Sequence, residues 1–214
     1  TVRDVEPDVI HAHFGPTGVL IAPVAEATDN PLTITFYGND VSGLARQTFW
    51  RQQYQSVFSS ASLLIGISNH ICSRVESLRG PANKIRCWHL GVDVSQFEYR
   101  PADTSFDGET VQCVHVGRLV EKKSPIDLVD SFSNALNQLD KRLDLHLKIA
   151  GDGPLREPLE HRIQSLRIDD KVSVLGAVPH SRISELLEEA NLYTQHCKTA
   201  TDGDQEGLGV SFIE

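Results

Sequence analysis

The chain has 214 residues, 40% of them hydrophobic, and a formal net charge of −9. That length allows one large domain or two small ones. The negative balance argues against a general nucleic-acid binder, which needs a basic face for phosphates, and no apolar run reaches the roughly 18 residues that would cross a bilayer.

In chain order, short apolar runs alternate with amphipathic stretches. Strands are predicted at 7–13, 32–37, 62–67, 84–90, 111–116, 144–150, 172–175 and 191–195. Several are nearly all apolar, the pattern of parallel strands covered on both faces. Helical period fills much of the space between. Ile71, Val75 and Leu78 share a face in 68–78, and Val129, Phe132, Leu136 and Leu139 do so in 125–139. Leu155, Leu159, Ile163 and Leu166 repeat the pattern in 155–166, as do Ile183, Leu186, Leu187 and Ala190 in 181–190. This alternation predicts right-handed βαβ units and open parallel sheets. Phe49 and Trp50, between Arg46 and Arg51, suit a buried aromatic helix better than a membrane-surface one.

From Val94 to Thr110 the chain is polar and aperiodic, with Pro101 and Gly108. A linker at 98–110 is therefore predicted, between an N-terminal α/β domain at 1–97 and a C-terminal one at 111–214. The chain opens on Thr1, has no Met, and stops inside the apolar run Val210, Phe212, Ile213. It reads as an internal piece of a longer product. Cys72, Cys87, Cys113 and Cys197 form no Cys-x-x-Cys pair. They read as reduced, mostly buried thiols, which favours the cytoplasm.

In open α/β sheets, ligands bind beyond the carboxyl ends of the strands. Val116 ends one such run, followed by Gly117-Arg118-Leu119-Val120-Glu121-Lys122-Lys123-Ser124-Pro125. Ser124 as N-cap, Pro125 at the first helical position and Asp127 as a capping-box partner would start a helix there. Its free amides, with Arg118 and Lys123, suit a phosphate or diphosphate, although an ordinary solvated loop has the same composition. Gly151 and Gly153 follow the next strand, and a tight turn is the simpler reading. In Asp202-Gly203-Asp204-Gln205-Glu206-Gly207-Leu208-Gly209, a loop leads to a helix starting near Gly209, with Glu214 about one and a half turns in. Its carboxylates could bind sugar or ribose hydroxyls, or simply be solvated, and a calcium-loop pattern is absent. His11 and His13 share one side of a strand end, with no third ligand at a telling spacing for zinc. Thr35-Phe36-Tyr37-Gly38-Asn39-Asp40 reaches the same edge.

Taken in order, these segments resemble glycosyltransferase family 4, enzymes of the GT-B fold, and most closely its bacterial exopolysaccharide (colanic-acid-type) branch. Glu206 and Glu214 match the family's Glu-x7-Glu motif, and Gly117-Arg118 with Lys123 matches its Gly-Arg…Lys segment. The resemblance implies two Rossmann-like α/β domains, both incomplete at the chain ends. It implies a nucleotide-diphosphate sugar as donor, UDP- or GDP-linked, with no metal required. Transfer would go to a glycan or lipid-linked acceptor with retention of configuration, in the cytoplasm or at the inner face of the membrane. Arg118 and Lys123 would hold the diphosphate, Glu206 the donor sugar and Glu214 the ribose. Gly117, Gly151, Gly153, Gly207, Leu208 and Gly209 would line the donor. His13, with His11, Tyr37, Gly38 and Asp40, would form the acceptor side. Tyr37 stands where relatives often carry His, and Ser124 where Gly is usual. A non-catalytic donor-binding protein of the same fold is the alternative. A paired-carboxylate hydrolase fits worse, because Glu206 and Glu214 would lie roughly 12 Å apart on a helix.

Overall fold

The computed structural model describes residues 2–97, 106–139 and 143–214. The chain divides into two compact units, Thr1–Gly91 with Thr199–Gly209, and Val92–Lys198 with Val210–Glu214.

The first unit holds helix α1 (Val2–Val5), then β1 (Ile10–His13), α2 (Gly15–Ala27), β2 (Leu32–Phe36), α3 (Thr48–Ser60), β3 (Leu63–Gly66), α4 (Asn69–Ser77) and β4 (Ile85–Cys87). Its sheet is wholly parallel, in the order β1-β2-β3-β4. The core joins Ile34, Phe36 and Leu64 from the strands to Tyr54, Phe58, Ile71 and Val75 from the helices. Each of these apolar side chains is withdrawn from water, which is the main favourable term holding the unit together.

One helix here lacked a clear sequence signal. α2 contains Gly15, Gly18 and Pro23, poor helix formers. It forms because its small residues let it lie close on the sheet: a Cβ on Gly18 would fall 2.6 Å from Ile34 Cδ1. α3 buries Tyr54, Val57 and Phe58, packs Trp50 partly against the core and leaves Phe49 exposed. α4 starts on a capped end, where Ser68 Oγ accepts the Ile71 amide at 3.3 Å.

The second unit runs β5 (Thr110–Val116), α5 (Pro125–Gln138), β6 (Asp144–Ala150), α6 (Arg156–Leu166), β7 (Val172–Gly176), α7 (His180–Glu188) and β8 (Leu192–Tyr193). Its sheet is parallel in the order β7-β6-β5-β8. Cys113, Leu147, Ile149, Val129, Phe132, Leu159 and Ile163 form one core cluster, and Val114, Val116, Ala150 and Leu186 the other. No helix among the described residues is long and apolar enough to cross a membrane.

The structure departs from the sequence reading in several places. Residues 92–97 pack with the second unit, where Ser184 Oγ donates to Gln96 O at 2.8 Å and the Phe97 ring meets His180 edge-on. Residues 199–209 pack with the first. Ser68 Oγ donates to Gly207 O at 2.8 Å, Arg46 Nη1 to Thr201 O at 3.1 Å, and the Gln205 amide to Ser42 Oγ at 3.1 Å. Of the linker at 98–110, residues 98–105 lie outside the described residues, and Thr110 already belongs to β5. The helix expected from Gly209 is only a 3-10 turn, Val210–Phe212. Ser124 does not cap α5 with its side chain: it adopts a left-handed φ of 52°, and its Oγ donates to Asp127 rather than accepting an amide. Cys87 and Cys197 are exposed, so the thiols are not mostly buried.

Candidate functional site

In the second unit, β5 delivers the chain at its carboxyl end into Gly117-Arg118-Leu119. The Gly117 amide donates to Ala150 O, and the Leu119 amide to Asp152 O, at 3.0 and 2.9 Å. The loop after β6 is thus laced to the loop after β5. Gly151 and Gly153 are more than a turn. Their φ values are +152° and +156°, and a Cβ on Gly151 would stand 1.9 Å from Gly117 O. A Cβ on Gly153 would stand 2.6 Å from Leu119 O. The two glycines set the height at which Arg118 leaves the sheet.

Arg118 is exposed and Lys123 is half-buried in a 3-10 turn, Glu121–Lys123, that leads into α5. Lys122 is buried, and its carbonyl accepts the Lys198 amide at 3.0 Å. Asp127, in the first turn of α5, pairs with Lys198 Nζ at 2.7 Å. That hydrogen bond, with the one from Ser124, holds its carboxyl below the usual carboxylate range.

Sequence reasoning overlooked His115. It lies within β5, fully buried, with Nδ1 2.9 Å from Thr194 O. A carbonyl only accepts, so Nδ1 carries the proton and Nε2 is a bare acceptor. Nε2 is buried with no hydrogen-bond partner. A Cβ on Gly117 would lie 3.5 Å from this nitrogen and 3.7 and 3.8 Å from Lys123 Cδ and Cε. One small region therefore gathers Gly117, Lys123 and an unsatisfied imidazole. Burial lowers the His115 pKa, the hydrogen bond to Thr194 O partly opposes this, and nearby Lys123 lowers it further, which favours the neutral ring. The available signal was a histidine inside an otherwise apolar strand end, two residues before Gly117-Arg118.

At the same unit's chain end, Glu214 is nearly buried and stands 4.0 Å from His180 Nε2. Nearby, Ser211 Oγ donates to Val116 O at 3.2 Å and bonds with Tyr193 OH at 2.7 Å. Glu206 belongs to the other unit, so the two carboxylates of the acidic motif are held by different bodies.

In the first unit, a Cβ on Gly207 would meet Tyr37 O at 1.7 Å and one on Gly38 would meet Gln205 O at 3.0 Å, while Leu208 packs on the core. Gly209 is buried. His13 Nδ1 lies 2.5 Å from Tyr37 OH, His11 Nε2 lies 2.8 Å from Thr35 Oγ1, and the two imidazoles stack at 4.5 Å. With Trp88, His89 and Leu90 they border a cleft of about 330 Å³.

Asp40 differs from an acceptor-side contact. It is buried and accepts the amides of Gly38, Tyr37 and Gly15 at 2.8, 3.1 and 3.1 Å. Burial pushes its pKa up and these amides pull it back. It ties the turn after β1 to the turn after β2, which holds His13 and Tyr37 together. Among the described residues, no three His, Cys, Asp or Glu side chains group as metal ligands would.

Comparison with known proteins agrees with this architecture. The model described as "Glycosyl transferases group 1" matches residues 97–214, and "Glycosyltransferase Family 4" matches residues 1–96. WcaL of Salmonella typhimurium, provisionally named a colanic acid biosynthesis glycosyltransferase, is 29% identical over 97% of this chain and 50% of its own length. A Campylobacter jejuni enzyme named as an α-1,4-N-acetyl-D-galactosaminyltransferase acting on a diNAcBac-PP-undecaprenol glycan is 28% identical over 89% of this chain and 49% of its own. The chain thus spans about half the length of the curated relatives it matches. The crystal structure of Anabaena Alr3699/HepE with UDP and glucose superposes with a TM-score of 0.78 at 20% identity, over 98% of this chain and 57% of that one. The fold is therefore GT-B, and the chain belongs to the glycosyl transferases group 1, with a family 4 amino-terminal part.

Proposed function

We propose that the protein transfers a sugar from a nucleotide-diphosphate sugar to a glycan or lipid-linked acceptor, with retention. The observation that carries this reading is the loop after β5, where exposed Arg118 follows Gly117 and Lys123, in the next 3-10 turn, comes close to the same glycine as the unsatisfied Nε2 of His115. Two cations at a strand end suit a diphosphate, whose charge grows as the glycosidic bond breaks. Arg118 and Lys123 stabilise that charge, and Glu214 takes the ribose hydroxyls. Glu206 meets the donor sugar, and the amides of Gly207–Gly209 steady it. The acceptor hydroxyl then attacks the anomeric carbon from the face the nucleotide leaves, which keeps the configuration. His13, held by Tyr37, lies on the acceptor side, and Tyr37 supplies the polar contact that a His supplies elsewhere.

The UDP bound in the Anabaena structure favours a uridine donor, and the undecaprenol-linked glycan of the Campylobacter enzyme favours a lipid-linked acceptor at the membrane surface. A thermal-shift panel of UDP-, GDP- and ADP-sugars on the full-length protein tests the reading. One base should raise Tm, and the donor should be consumed only when acceptor is present. No shift and no turnover with any donor would sink it. Binding without turnover would point instead to a donor-binding protein of the same fold.

A further inference from the structure

Two cysteines of the first unit stand outside the proposed transfer reaction. Cys87 ends β4 and sits opposite Gly66 in the parallel β3–β4 ladder. Side chains of paired residues leave a sheet on the same face. On that face the space beside Gly66 is taken by Cys72 of α4. A Cβ on Gly66 would lie 2.7 Å from Cys72 Sγ and 3.2 Å from its Cα. The missing side chain of Gly66 thus admits the Cys72 thiol next to Cys87. Adjacent strands lie about 4.8 Å apart. Cys72 Sγ itself donates to Gly66 O at 3.9 Å, and both thiols are in the reduced form.

A third residue completes the arrangement. His89 Nδ1 lies 3.1 Å from Ile67 O, so it carries the proton, and Nε2 faces Cys87 Sγ as an acceptor at 3.7 Å. Cys87 is exposed and Cys72 only partly so. Burial, then Cys87 beside it, push the Cys72 thiol up. The exposed sulfur reacts first and the sheltered one follows.

We propose that Cys72 and Cys87 are a thiol–disulfide exchange pair whose co-reactant is a small disulfide such as oxidised glutathione. Cys87 gives its proton to His89 Nε2 and bonds to one glutathione sulfur. The glutathione S–S bond breaks, and the departing sulfur takes the proton from His89. Cys72 then loses its proton and bonds to Cys87 Sγ. The second glutathione leaves with that proton. Two protein thiols are oxidised by two electrons, and one disulfide is reduced to two thiols.

The test uses the full chain, without oxygen, in glutathione buffers of varied reduced-to-oxidised ratio. Remaining thiols are trapped with iodoacetamide and the protein is cut with trypsin. Arg74, Arg79, Lys84 and Arg86 separate the two cysteines, so a disulfide joins two peptides. The expected result is that Cys72 and Cys87 lose alkylation together, in one transition, as a linked peptide pair, with far-UV circular dichroism unchanged. Cys72→Ser should stop Cys87 at the glutathione adduct. His89→Asn should slow the first step at pH 7 by about tenfold or more. An adduct on wild-type Cys87 with Cys72 still alkylated overturns the proposal. So does linkage to another cysteine, or linkage only after the dichroism is lost.

Discussion

Replacing Gly151 by Ala should damage the second unit far more than a methyl group ordinarily would. The new Cβ would stand 1.9 Å from Gly117 O, and Gly151 has a φ of +152° that side chains rarely adopt. Backbone strain of this kind costs about 1–3 kcal/mol, and overpacking a tight contact about 1–3 more. The sum is roughly 2–6 kcal/mol, a large part of the stability of a small domain. Two other glycines separate the contributions. Gly108→Ala, at φ +92° with open space around it, should cost about 1 kcal/mol, and Gly91→Ala, with neither problem, close to nothing. Urea unfolding followed by circular dichroism reads all three. Tryptophan fluorescence follows only the first unit, which holds Trp50 and Trp88. A Gly151→Ala protein within about 0.5 kcal/mol of Gly91→Ala would refute the close-approach argument. If the variant folds but its Gly117 loop shifts, donor affinity should fall even though no donor contact was removed.

Other outcomes follow from the same geometry. Lys123→Ala should weaken donor binding by about 10-fold to 150-fold, the range of a charge-assisted hydrogen bond, in calorimetry with the nucleotide diphosphate. An unchanged affinity would remove Lys123 from the phosphate site. His115 has a folded pKa below its unfolded value, so its contribution is complete above about pH 6.5 and is lost as pH falls. Wild-type stability should therefore drop below pH 6.5 by up to about 1.4 kcal/mol per pH unit more than that of His115→Phe. Parallel curves would mean that the ring charges without penalty. Tyr54 is fully buried, and its OH donates to Asp40 O at 2.8 Å. Tyr54→Phe should cost about 1–3 kcal/mol in urea, because it strands that carbonyl, and no loss would mean that water replaces the hydroxyl.

Much of the fold was legible because strands and amphipathic helices write themselves as periods. Four of the longer helices show apolar positions three and four apart. α2 did not, since its run Gly-Val-Leu-Ile-Ala is apolar all round and Pro23 contradicts a helix locally. Packing against Ile34 decides it, and packing is invisible to propensity. Ser124 shows the limit of local motif reading. Ser-Pro-x-Asp is a good start signal, yet the preceding 3-10 turn leaves Ser124 left-handed, with its hydroxyl turned to Asp127 rather than to an amide. At the donor loop, Arg118 and Lys123 stood out by charge and place. His115 did not, because only the fold shows that one of its nitrogens is satisfied and the other is not. Asp40 was noticed for its charge, but its work is to gather three amides.

The return of Thr199–Gly209 to the first unit has a consequence for synthesis. On the ribosome, the sheet of β1–β4 and its helices emerge early, but the piece that packs on Tyr37, Gly38, Ser42 and Ser68 follows only after the whole of Val92–Lys198. Until then the first unit waits with Tyr37 O and Ser68 Oγ open to water. A nascent chain halted at Gly91 should be looser around α4 than the same residues in the finished protein. Amide exchange at Ile71 and Cys72, compared between the two, would show how much of the early unit is held by a segment made well after it.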